Sequence, residues 1–115
     1  MKVVCIDAAL PGDGPSVYAL TVGREYVVIG LTFRDGCIWL DLPIAPGTVI
    51  SAPLDRFRVV DDRASGFWRL RAWEEGVIGL RPEEFGTPFF LDDASDQREP
   101  AFSIMEALID RLQAE

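Results

Sequence analysis

Short apolar runs separated by glycine and proline make up most of this chain. The first run, Lys2 to Ile6, predicts a strand, and the proline- and glycine-rich stretch Ala8 to Pro15 predicts a loop. The segment Glu25 to Phe33 is apolar at both alternating sets of positions. A strand with this pattern is covered on both faces of its sheet. We therefore expect this segment to lie at the centre of the fold.

The dipeptide Asp35-Gly36 separates that strand from a second apolar run, Cys37 to Leu42. Asp-Gly supplies the two positive-φ positions of a type I′ turn, so the pattern predicts a hairpin. Beyond it, Thr48 to Ser51 is predicted to pair briefly, Pro53 to Phe57 to form a tight turn, and Arg58 to Val60 to form a short strand.

The alternating run from 67 to 73 predicts a strand with one core face and one surface face. The core face carries Trp68, Leu70 and Ala72. The surface face carries Phe67, Arg69, Arg71 and Trp73, an arginine pair flanked by aromatic residues. We also expect Tyr26 and Trp39 to be largely buried. A turn at Glu75-Gly76 then predicts a return strand, Val77 to Leu80.

The segment from Asp96 to Gln113 is the one clear helix in the sequence. Asp96 and Glu99 resemble a capping box, and Pro100 is tolerated in a first turn. The apolar residues at helical spacing are Ala101, Ile104 or Met105, Leu108 and Leu112. This stripe must be buried, and we expect it to cover the strand Glu25 to Phe33 as a lid.

Five or six short strands followed by a single helix predict a mainly β fold. We expect one domain: a small, bent, antiparallel SH3-like barrel over about residues 1–80, with an extension and a docked C-terminal helix over about 81–115. Residues 81–85 are expected to form a short helical turn or a loop, and Phe89 to Leu91 to fold back on the barrel. An OB-like barrel and an open α+β sheet are the alternatives.

Length and composition agree with one globular domain, since the chain has 115 residues, of which 49% are hydrophobic and 26% charged. No apolar run approaches the roughly 20 residues that span a bilayer, and the N-terminal run is too short for a signal peptide. We therefore expect a cytoplasmic protein without membrane contact. Cys5 and Cys37 both lie in strand-like runs and are expected to be buried, reduced thiols.

The chain contains no histidine, which removes the histidine-based nucleophile systems and most transition-metal sites. An enzyme would depend on carboxylates, Lys2, tyrosines or arginines, and the carboxylate candidates are Asp61-Asp62 and Asp92-Asp93. Adjacent residues of a strand point to opposite faces, so such doublets do not converge on one metal or substrate. We therefore predict a protein that is not an enzyme and has no metal, cofactor or catalytic residue.

The net charge of −8 is concentrated in the second half, where residues 61–115 hold six basic and thirteen acidic side chains. Binding to nucleic acid through phosphate neutralisation needs the opposite balance, so we expect no nucleic-acid partner. Two interpretations of the acidic half stay open. It is either a solvated surface that keeps the domain dispersed or a surface that meets a basic protein partner.

Three stretches, KVVCID, LTVGREYVVIG and PLDRFRVVDDRASGFWRLR, resemble small SH3-like barrel proteins of bacterial and phage genomes. More narrowly, the third resembles a group of single-domain bacterial proteins associated with toxin-immunity genes. The residues that carry this likeness are Pro53, Phe57, Val59, Val60, Asp61, Arg63, Ser65 and Trp68. The resemblance covers residues 1–72 and supplies no catalytic residue. Asp61 is expected to form a network with Arg63 or Ser65 that pins a turn, or to belong to a polar edge facing a partner.

The resemblance and the charge together suggest an immunity protein that occludes a basic toxin domain through an acidic surface. The candidate contact residues are Glu74, Glu75, Glu83, Glu84, Asp92 and Asp93, with Trp73 as an aromatic anchor. The alternative is an SH3-like peptide-binding or phage-associated module.

Overall fold

The computed structural model describes residues 1–8, 19–74 and 76–115, in which eight strands form two antiparallel sheets. The strands are β1 (Lys2–Cys5), β2 (Glu25–Val27), β3 (Gly30–Arg34), β4 (Cys37–Ala45), β5 (Thr48–Pro53), β6 (Phe57–Asp61), β7 (Trp68–Glu74) and β8 (Val77–Pro82). The helices are α1 (Phe90–Ser95) and α2 (Ala101–Gln113), and two 3₁₀ helices cover Leu54–Arg56 and Glu83–Gly86.

The strand order is β2-β1-β6 in the small sheet and β5-β4-β3-β8-β7 in the large sheet. The prediction of a mainly β fold with a C-terminal helix is therefore confirmed. Within the described ranges the two sheets do not join into one closed barrel. Most of the predicted loop Ala8 to Pro15 lies outside the described residues.

The predicted single strand Glu25 to Phe33 is in fact two strands that belong to different sheets, β2 and β3. At the bend between them, the Val28 N–H donates to the Met1 carbonyl over 3.0 Å and the Ile29 N–H donates to the Asp41 carbonyl over 2.9 Å. The chain thus changes sheets without losing backbone hydrogen bonds, as at the corners of orthogonally packed sheets.

The bend segment is covered on both faces, as its sequence predicts. Tyr26 and Val28 belong to the core between the two sheets, whereas Val27 and Ile29 contribute to a second core beneath the helices. The buried residues of α2 are Ala101, Met105, Leu108 and Leu112. The predicted helical lid is therefore confirmed, with Met105 and not Ile104 in the buried position.

The predicted capping box is wrong, because Asp96 lies at the end of α1 and not at the start of α2. The Glu99 carboxylate instead accepts hydrogen bonds from the Ser103 N–H over 3.2 Å and the Ser103 hydroxyl over 2.6 Å. Both contacts lie four residues apart along the chain, so Glu99 still supports the first turn of α2.

The indole of Trp68 links the two cores. It is only 6% exposed, and its Nε1–H donates to the Ile29 carbonyl over 3.0 Å. Tyr26 is buried as predicted, and Trp39 is half-buried. The assignment of Leu70 and Ala72 to the core is wrong, since Leu70 is 66% exposed and Ala72 is also exposed. The β7–β8 hairpin extends past the region that the small sheet covers.

The Asp35-Gly36 hairpin is confirmed, with φ values of 52° and 72° at its two central positions. Cys37 follows this turn directly and is exposed, so the prediction of a buried thiol holds for Cys5 alone. A second turn, between β4 and β5, packs closely against the helices at Gly47. A Cβ atom there would lie 2.1 Å from the Ala94 carbonyl oxygen, and the Gly47 N–H donates to the Glu106 carboxylate over 3.1 Å.

We expect Trp68→Ala to lower the free energy of unfolding by about 3–5 kcal/mol, the usual loss for truncating a buried large aromatic. Leu70→Ala, two positions along the same strand, serves as the control and should change it by less than about 0.5 kcal/mol because Leu70 is exposed. Urea unfolding measures both. Equal losses in the two variants would contradict the observed facing of β7.

We expect Gly47→Ala to destabilise the protein by about 1–3 kcal/mol more than Gly36→Ala, because the new methyl group overlaps the helical layer. Both glycines have positive φ and both sit in hairpin turns, but a Cβ atom at Gly36 meets no atom within 4 Å. The difference between their urea midpoints therefore isolates the contact with the helices. A difference near zero would mean that the β4–β5 turn does not anchor that layer.

Candidate functional site

Four of the predicted acidic residues lie on one continuous segment. Glu83 and Glu84 begin the second 3₁₀ helix, and Asp92 and Asp93 lie in the first turn of α1. These two helices pack together through Phe85 and Phe90, whose ring centroids are 6.0 Å apart. We call residues 83–95 the acidic segment. Glu74 is the last residue of β7, away from this segment along the chain, and Glu75 lies outside the described residues.

Two of these carboxylates are already neutralised by arginines. Glu83 forms an ion pair with Arg71 of β7. Glu84 forms one with Arg111 of α2, with Nη2 and Oε2 2.9 Å apart. In the described part of the chain, Asp92 and Asp93 take part in no ion pair. The uncompensated negative charge of the acidic segment therefore lies on α1.

The predicted anchor Trp73 is half-buried and makes internal contacts. Its indole Nε1–H donates to the Gly79 carbonyl over 3.1 Å, and the Arg71 guanidinium lies 5.1 Å from the centroid of its ring. The ring also approaches Gly86 of the second 3₁₀ helix. Trp73 therefore joins the β7–β8 hairpin to the start of the acidic segment.

The most exposed large apolar residue of the segment is Phe89, which the sequence analysis did not select. Its side chain is 76% exposed, and its backbone has the left-handed angles φ 61° and ψ 16°. That conformation costs a bulky residue on the order of 1 kcal/mol or more and is concentrated at functional positions. The Phe89 carbonyl accepts the Asp93 N–H over 2.8 Å, so the strained residue leads directly into α1.

The expectation that Phe89 to Leu91 folds back on the barrel holds for Phe90 alone. Phe90 is buried in the core beneath the helices, while Phe89 and Leu91 are exposed. Two adjacent aromatic residues in a tight turn cannot both face one core. The doublet Phe89-Phe90 in the sequence therefore indicates that one of the two rings is exposed, but it does not indicate which one.

Two small cavities flank the start of α1, and each has one of the two aspartates in its wall. The cavity with Asp92 has a volume of about 240 Å³ and is also lined by Phe89, Leu91 and the Arg81 side chain. The cavity with Asp93 has a volume of about 120 Å³ and is also lined by Glu84 and Ile104. The surface around α1 thus combines hollows lined by aromatic and charged side chains with a carboxylate at the edge of each, an arrangement that can bind a partner.

The polar residues of the resemblance make internal contacts as well. Arg63 donates from Nε and Nη2 to the two carboxylate oxygens of Asp61, over 3.0 and 2.8 Å, and these hydrogen bonds hold the pKa of Asp61 well below its usual range. The predicted Asp61–Arg63 network is confirmed. Ser65 does not join it. Its hydroxyl donates to the Glu115 carboxylate, which links the β6–β7 loop to the end of the α2 region.

A buried ion pair lies in the large sheet, where Asp41 and Arg81 face each other across Gly30. Arg81 Nε and Asp41 Oδ2 are 3.4 Å apart, and Arg81 Nη2 donates to the Thr32 hydroxyl over 2.7 Å. Burial raises the pKa of the Asp41 carboxyl, against the opposing effect of Arg81. A Cβ atom at Gly30 would lie 2.8 Å from Asp41 Oδ2, so this position has room for little more than a hydrogen.

Comparisons with protein-family models, with curated proteins and with solved structures found no match to this chain. Among residues 1–8, 19–74 and 76–115, no helix is long and apolar enough to cross a membrane. Over the same ranges, no group of three or more acidic, cysteine or histidine side chains is placed to hold a metal ion.

Proposed function

We propose that this protein is a non-enzymatic binding protein that inhibits a bacterial toxin by covering a basic surface on it. The observation that carries the proposal is the exposed Phe89 beside Asp92 and Asp93. Interfaces depend on a few buried anchors, commonly aromatic, that are surrounded by polar contacts. Phe89 would supply such an anchor and the two aspartates its charged surroundings.

The charge of the whole chain supports a basic partner. At a net charge of −8 the protein attracts a positive surface from a distance and accelerates encounter with it. Many toxins that attack nucleic acid have basic clefts, and an acidic inhibitor complements such a cleft. Such an inhibitor would meet its toxin in the cytoplasm.

The SH3-like part of the proposal rests on the bend between β2 and β3. One continuous chain segment supplies a strand to each sheet there, which is how small bent β folds turn a corner. The β7–β8 hairpin and the helices are then additions to the edge and the outside of that bent unit. The acidic segment belongs to these additions, where relatives of one fold would differ in partner choice.

The test is to co-express this protein with any toxin that a neighbouring gene encodes, and to measure both the protection of growing cells and the affinity of the purified pair. We expect Asp92→Lys/Asp93→Lys to weaken binding at least about tenfold and to remove protection, mainly through slower association. We expect Phe89→Ala to weaken binding by a similar factor through faster dissociation. Glu83 and Glu84 are left unchanged because their reversal would break ion pairs with Arg71 and Arg111.

The matched control is Asp62→Lys/Asp110→Lys, which changes the net charge equally at two exposed sites outside the acidic segment. It should retain protection and slow association only slightly. If both double variants lose protection to the same extent, total charge and not this surface is responsible. Full protection by Asp92→Lys/Asp93→Lys, with an unchanged urea midpoint, would show that the proposed surface is wrong.

A further inference from the structure

β7 is the last strand of the large sheet, and its outer edge has no strand beside it among the described residues. Four successive residues of this strand, 69–72, are exposed. Unpaired edges of this kind are templates for an added strand. Such an edge accepts a specific partner only if its backbone groups point outward and its two faces select particular side chains.

The backbone of β7 meets the first condition. The Trp68 N–H donates to the Ser65 carbonyl over 3.3 Å and the Trp68 carbonyl accepts from Arg69 Nη1 over 3.1 Å, so both groups point away from β8. Trp68 is also opposite Pro82, which has no N–H to offer. Alternate residues of a strand direct their backbone groups to the same side. The N–H and carbonyl groups of Leu70 and the N–H of Ala72 therefore point to the free edge, before the register shift between Ala72 and Glu74.

One face of the edge is apolar and uncovered. The register places Ala72, Ile78, Phe33 and Ile38 side by side in one row across β7, β8, β3 and β4. All four are exposed, with Ile78 at 52%. Leu70 and Leu80 begin the next row, whose continuation toward β5 is buried under the small sheet. An added strand would extend this apolar surface beside Leu70 and Ala72.

The other face of the edge is basic, with Arg69 and Arg71. Arg71 is paired with Glu83. The Arg69 guanidinium contacts only the carbonyls of Gly66 and Trp68 among the hydrogen bonds and ion pairs of the described residues. It therefore carries a positive charge without a carboxylate partner. A strand beside β7 would place every second side chain on the same face as Arg69, with the opposite one next to it.

We propose that the β7 edge binds an extended segment of another protein in which apolar residues alternate with acidic ones. The segment adds to the large sheet as a sixth strand by hydrogen bonding to Leu70 and Ala72. Its apolar side chains pack beside the uncovered row, and its carboxylates approach Arg69. This surface is separate from the acidic segment, and the proposal does not depend on the function proposed above.

A second copy of the chain fits this edge poorly. In an antiparallel pair of β7 strands centred on Leu70, Arg69 of each copy faces Arg71 of the other. In a pair centred on Arg71, the two Arg71 side chains face each other. Like charges directly opposite on one face destabilise a strand pair. The charge of the edge therefore selects a different, acidic segment.

The probe is a capped nine-residue peptide of alternating valine and glutamate, compared with a valine–lysine peptide of the same length. We expect the glutamate peptide to bind more tightly at 0.15 M salt, where the net charge of the protein is largely screened and the contact with Arg69 decides the preference. Its binding should slow hydrogen exchange at the Leu70 and Ala72 amides. Arg69→Glu, an exposed substitution, should reverse or abolish the preference between the peptides. Ala72→Pro should remove one outward N–H and weaken binding while leaving the urea midpoint nearly unchanged, since edge strands tolerate proline there.

Three results would overturn the proposal. The first is no binding of the glutamate peptide at millimolar concentration. The second is equal binding of both peptides, or binding without protection of the Leu70 and Ala72 amides, which would indicate a non-specific charge contact. The third is a dimer in sedimentation experiments whose formation protects these same amides, which would assign the edge to a second copy of the chain.

Discussion

The whole arrangement depends on the bend at Val28 and Ile29. This short stretch keeps its backbone hydrogen bonds while the chain passes from the small sheet to the large one. Its alternating side chains enter two different cores, and its Ile29 carbonyl also accepts the indole N–H of Trp68. A backbone group buried without a partner would cost on the order of 1–3 kcal/mol, so each of these hydrogen bonds stabilises the bend.

The two surfaces with binding potential follow from that geometry. One side of the bend is covered by the small sheet, which covers Trp68 but not the far end of the β7–β8 hairpin, and the apolar row there is left exposed. The other side is covered by α2, which requires a connection from β8 back across the large sheet. The acidic segment is that connection. Its Phe90 is buried in the core beneath the helices and so fixes the position of the segment. Phe89, in the tight turn before it, is exposed.

Local sequence patterns predicted the strands, turns and helices better than they predicted the tertiary contacts of those elements. Alternation and the Asp35-Gly36 pair identified the hairpin, and two apolar faces on residues 25–33 predicted the helical lid, because both signals are carried by neighbouring residues. The extent of the small sheet is not a local property. Leu70 therefore looked like a core residue although nothing described covers it. The same limit applies to the candidate site, where composition selected Glu83 and Glu84 but pairing with Arg71 and Arg111 depends on tertiary contacts.

Ion pairs with arginines determine which carboxylates of the second half keep an unpaired negative charge. Arg63, Arg71, Arg81 and Arg111 each pair with a carboxylate of the protein itself. These pairs leave Asp92 and Asp93 uncompensated on α1 and Arg69 uncompensated on the β7 edge, so the molecule presents surfaces of opposite sign.

Salt screens the charges of both surfaces, but it does not weaken binding at the two surfaces equally. Association through the acidic segment relies on long-range attraction, which fades beyond about 8 Å at 0.15 M salt. A strand at the β7 edge would be held mainly by short backbone hydrogen bonds and apolar contact, which salt weakens little. The two surfaces can therefore be separated experimentally by ionic strength alone, even before their partners are known.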